Sequence, residues 1–168
     1  IEEGRKFKVN EYVTLKLKGP KTILYVDNER FRQCMKLIIH IPREGTELFK
    51  NINNIDEAEE IDNTLKKKEV IREYSFSISS EEEFRGHCSN IQAWAEHDYD
   101  TRLLSYDLAF PLLKKLTEVG DEKARRVFKE EIASRFSKGH PSVMNFLITE
   151  RYIDVFTPAE LVQLCEGI

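Results

Sequence analysis

Between Arg85 and Arg102 the chain sets eight polar side chains around its single tryptophan, Trp94: Arg85, His87, Cys88, Asn90, His97, Asp98, Asp100 and Arg102. Histidine, cysteine and aspartate are metal ligands, and a thiol beside an imidazole is the start of a cysteine nucleophile. The spacing suits neither use. Structural zinc is held by ligand pairs about two to four residues apart, whereas His87 and Cys88 are adjacent and no second cysteine pair follows. A nucleophile at Cys88, with His87 or His97 as its base, lacks a third group to orient that base. The pattern is that of a polar cluster that fixes packing. His87 and Asn90 are expected to bond backbone at the start of a helix, and Asp98 or Asp100 to pair with Arg102. Trp94 is read as an aromatic anchor between two domains. The expected interface residues are therefore Trp94, His87, Asn90, Asp98, Asp100 and Arg102, with no metal and no cofactor.

A second set of residues has a different chemistry. Lys16, Lys18, Lys21, Arg30, Arg32 and Lys36 accompany Tyr12 and Tyr25 in the first quarter of the chain. Positive charge beside aromatic rings is how sheets hold single-stranded nucleic acid. A solvated strand face has the same composition, and no aromatic RNA-reading motif is present. No phosphate-binding glycine loop, HExxH or nucleophile elbow occurs either, and only seven glycines are present, so no enzyme is expected.

The elements that carry these residues follow from periodicity. Tyr12 to Lys18 alternates, with Val13, Leu15 and Leu17 on one side and Thr14, Lys16 and Lys18 on the other, which predicts a half-buried strand. Gly19-Pro20 ends it, and Thr22 to Val26 forms a second strand. Asp27 and Asn28 tolerate left-handed angles and make a tight turn. Alternation from Phe31 to Ile41 predicts a third strand, completing an antiparallel meander behind a loose tail over residues 1–6. Asn54 and Glu57 have capping-box spacing for a helix to about Lys68 that covers the meander. Tyr74 to Ile78 reads as an added strand.

From Ser89 onward the period becomes helical. A short helix is expected to run from Ser89 to His97, and a longer one from near Asp107, since Pro111 is tolerated only near a first turn. Gly120 and Gly139 mark stops, and Thr157-Pro158-Ala159-Glu160 combines an N-cap, a first-turn proline and a capping-box glutamate. The fold class is thus α+β: an N-terminal antiparallel β-meander with a covering helix over residues 1–80, then a short α-helical array over 81–168.

Composition bounds the rest. At 168 residues, 40% hydrophobic and 33% charged, the chain is globular rather than disordered. It has no apolar run of membrane-span length and no signal-peptide pattern. Three cysteines without short spacing argue for reduced thiols and a cytoplasmic location. The net charge of −4 is unevenly spread: Arg5 to Lys36 holds nine bases against three acids, and Asn51 to Glu83 four against ten. Two such regions attract each other or meet different partners. The first residue is Ile rather than Met, which is expected of a piece of a longer chain.

The segment LAFPLLKKLTEVGDEKARRVFKEEI resembles a helical-repeat unit of the HEAT or armadillo kind. Together with FKVNEYVTLKLKGPKTILYVDNERFRQC and GHCSNIQAWAEHDYDTRLL, it also resembles a region of uncharacterised archaeal proteins that often precedes leucine-rich repeats. That resemblance implies an intracellular archaeal protein forming part of a protein-binding assembly. The expected function is a non-catalytic protein-interaction or scaffold module whose partner is another protein or a larger assembly. The alternative is RNA or ribosome binding through the basic meander face.

Overall fold

A computed structural model describes residues 5–32, 35, 43–67 and 78–167, with backbone alone for residues 43–45, 66 and 67. The expected strand from Phe31 to Ile41 lies largely outside these residues, and that at Tyr74 to Ile78 almost wholly so. An antiparallel sheet comes first, and helices follow. The fold is α+β.

Among the described residues the sheet has four strands in chain order: β1 (Lys6–Lys8), β2 (Val13–Lys18), β3 (Lys21–Val26) and β4 (Glu29–Arg30). The third connection is a two-residue turn at Asp27 and Asn28, both with positive φ (47° and 64°). Such a turn matches the twist of the strands it joins. The tail expected over residues 1–6 is in part a strand, because Lys6 to Lys8 pairs with Lys16 to Thr14.

Among the described residues six α-helices follow: α1 (Ile55–Lys67), α2 (Ser80–Glu96), α3 (Tyr106–Glu118), α4 (Glu122–Ser137), α5 (Pro141–Thr149) and α6 (Pro158–Glu166). Short 3-10 segments occupy Arg43–Phe49 and Tyr152–Val155. The chain divides into two compact units, Ile1–Ala109 and Phe110–Ile168. The boundary expected at 80/81 falls inside the first.

In the first unit the helix that packs on β2 and β3 is α2. Val13, Leu15, Leu24 and Val26 are buried on the sheet's inner face, and Phe84, Cys88, Ile91 and Trp94 are buried along α2. The covering helix expected over residues 54–68 does form, as α1. Its Ala58, Ile61 and Leu65 pack with Phe49 of the 3-10 segment. Asn54 caps it by accepting from the Glu57 amide at 2.9 Å, while Glu57 accepts from the Asn53 amide.

The short helix expected from Ser89 instead begins nine residues earlier, at Ser80. Ser79 and Glu82 form a full capping box there, and Glu81, Glu82 and Glu83 complement the positive end of the helix dipole.

In the second unit α4 packs with α5, α6 and the Tyr152–Val155 segment. Phe110, Phe128 and Tyr152 meet edge-on or tilted at 5.7–6.2 Å. Asp121 caps α4 through the Ala124 amide. Thr157 and Glu160 form the capping box of α6, and Glu160 also takes the Lys129 ammonium at 2.8 Å.

Candidate functional site

The polar cluster around Trp94 is dispersed. His87 and Cys88 are buried on α2, Asn90 and Arg85 are exposed on it, and His97 and Asp98 are exposed at its end. His87 does not bond backbone. Its Nε2 lies 3.4 Å from Glu83 Oε1, one turn back. Burial holds His87 below the usual imidazole range, with Glu83 opposing. Burial also pushes the Cys88 thiol up to about 11, so little thiolate forms near neutrality. Among the described residues no three His, Cys, Asp or Glu side chains gather into a metal-binding group.

Asp100 takes the guanidinium of Arg102, from Nε at 3.0 and 3.1 Å and from Nη2 at 2.6 Å, and also its amide at 2.9 Å. The hydrogen bonds from Arg102 hold the Asp100 carboxyl below the usual carboxylate range. This pair shapes a loop whose backbone serves α1: Arg102 O accepts from the Ile55 amide, and Asp56 accepts from the Tyr106 amide.

Trp94 is fully buried, its ring 4.5 Å from that of Tyr99. Tyr99 accepts a hydrogen bond from Asn10, and Asn10 in turn caps the start of β2 by accepting from the Tyr12 and Val13 amides. Tyr99 and Asp98 both adopt left-handed backbone angles to make this possible. Trp94 therefore belongs to the first unit, where it packs α2 on the sheet.

The basic residues are brought together. Strand register sets Lys16 opposite Lys6, Thr14 opposite Lys8, Lys18 opposite Lys21 and Tyr25 opposite Arg30. Since successive side chains alternate faces, Lys6, Lys8, Lys16, Lys18, Lys21 and Arg30 all lie on the outer face, away from Val13, Leu15, Leu24 and Val26. Thr14, Ile23 and Tyr25 complete it, so among the described residues no strand residue of this face is acidic. Among the described residues none of the five lysines has an ion pair. Lys6 and Lys8 were missed in the sequence because a three-residue strand leaves almost no alternation to detect.

Tyr25 sits within this charge. The Lys16 Nζ stands 4.4 Å and the Lys18 Nζ 5.5 Å from its ring centroid. A hydrogen bond from Lys18, helped by the charges of Lys18, Lys16 and Arg30, holds the phenol below its usual range. Arg32 is exposed just beyond β4, and Lys36 lies outside the described residues.

No family model, curated protein or solved structure matches the chain.

Proposed function

We propose that the protein is a non-catalytic binding module whose working surface is the outer face of the sheet, and that its ligand is RNA in single-stranded form. The observation that carries this reading is the convergence of six cations on one face, with no acid among its described strand residues. Two like-charged pairs, Lys6 with Lys16 and Lys18 with Lys21, stand directly across from one another. Such pairs destabilise a sheet unless an anion lies over them. A polyanion supplies many phosphates at once, which suits a flat, extended array better than a single small anion does. The free thiols Cys88 and Cys165 fit the reducing cytoplasm in which RNA is met.

The test is fluorescence anisotropy with labelled oligo(U). Binding by the native protein, lost on joint reversal of Lys16, Lys18 and Lys21 to glutamate with the circular dichroism spectrum intact, supports the reading. Equal binding by the reversed variant removes it.

A second reading, docking of another protein or a larger assembly on the helical unit, is favoured by one observation. Phe146 and Ile148 on α5 and Val162 on α6 are 44%, 49% and 57% exposed. Exposed large apolar side chains of this kind mark interaction surfaces when they are contiguous.

A further inference from the structure

Sheets that read bases in single strands do so by offering an open aromatic face on which a base stacks. The described outer face of this sheet has one ring on its strands, that of Tyr25, with half-buried Tyr12 one residue before β2 at the edge of the same face; the Tyr25 ring is not open. Lys16 stands above it at 4.4 Å and Lys18 at 5.5 Å from the centroid, and only 9% of the residue reaches solvent although it lies on the outer side. A base could take that place only by driving two ammonium groups off a π-face that attracts them. Apart from the Thr14 hydroxyl, the polar groups that the strands leave facing outward are lysine ammoniums and the Arg30 guanidinium. These are donors without acceptors, suited to phosphate oxygens rather than to the mixed edges of bases.

Resting on the reading of this face as a nucleic-acid surface, we propose that it holds its ligand by the phosphates alone, with the bases turned away. Binding is then indifferent to base identity and to the sugar. Tyr25 serves as a prop under Lys16 and Lys18.

The measurement compares three labelled oligomers of equal length and charge against the unmodified protein at one salt concentration: oligo(U), oligo(dT), and an abasic deoxyribose-phosphate oligomer. The expected result is three affinities that agree within about threefold, because the phosphate term is common to all three. A stacked base is worth at least about fivefold per base, so an abasic oligomer bound more than about fivefold weaker than oligo(dT) overturns the inference. Oligo(U) bound with oligo(dT) rejected overturns it as well, since the sugar would then be read. Both outcomes leave the nucleic-acid reading standing. Failure of all three oligomers to bind removes that reading and the inference with it.

Discussion

At the scale of the residue, the decisive contact is made by side chains far apart in sequence. Asn10 caps the start of β2 with its carbonyl and gives its amide to Tyr99, 89 positions on, whose ring packs tilted against Trp94. Truncating a buried tryptophan costs about 3–5 kcal/mol, so Trp94→Ala is expected to unfold most of the first unit. Tyr99→Phe keeps the ring contact and loses one hydrogen bond, for a loss of about 1 kcal/mol in urea denaturation. No change would mean that Asn10 finds another partner at no cost.

His87 gives a second test at this scale. Burial lowers its pKa in the folded state, so the unfolded chain takes up a proton first, near pH 6.5. The contribution is fully present above about pH 6.5 and declines as the pH falls below it. His87→Gln is therefore expected to shrink the drop in urea midpoint between about pH 7 and about pH 5. An undiminished drop would assign it to other groups. A buried Trp94 was legible, because a lone indole amid helical spacing has few other places to go. Asn10 was not, since nothing local distinguishes a turn asparagine that reaches a tyrosine from one that faces water.

At the scale of the element, the sheet holds a conflict between stability and charge. Lys18 faces Lys21 across the β2–β3 ladder, and Lys6 faces Lys16 across β1–β2. Turning a like-charged pair into an opposite one gains roughly 0.2–1 kcal/mol on a strand pair. Lys21→Glu and Lys6→Glu are thus each expected to raise the thermal midpoint while weakening oligo(U) binding. A face that merely solvates the sheet would show the first effect without the second.

The β2 and β3 strands and their outward lysines were readable from a period of two, and the Asp27-Asn28 turn from residues that accept positive φ. The true start of α2 was not. Its capping pair, Ser79 and Glu82, follows a stretch, Tyr74 to Ile78, whose alternation reads as strand, and this masked the signal. Nor does an amphipathic stripe name its partner: α1 was expected to cover the sheet, yet α2 packs on β2 and β3 while the stripe of α1 meets Phe49. The caps are separately testable. Thr157→Ala removes the side chain that accepts from the Glu160 amide, and is expected to cost about 1 kcal/mol, read as earlier hydrogen exchange in α6.

At the scale of the whole molecule, the α+β class was visible where alternation gives way to helical spacing, but the division at Ala109 was not, because α2 belongs to the sheet by packing rather than by period. Charge adds a constraint that no single element holds. The chain is net −4, so a polyanion on the proposed sheet surface would meet the repulsion of the net charge as well as the attraction of the local cations. On the proposed reading, binding comes from local neutralisation of phosphates by the outward cations, and counterion release gives it a measurable order. For single strands the slope of log affinity against log salt is about −0.7 per phosphate neutralised, so full use of the face gives a slope near −4. Replacing one lysine by glutamine, at Lys8 or Lys21, is expected to make the slope shallower by about 0.7 and to weaken oligomers of every base composition alike. A native slope near −1 would mean that one or two cations act alone. The alignment of six on one face would then reflect solvation of a sheet, and the helical unit with its exposed Phe146, Ile148 and Val162 would become the better candidate for the working surface.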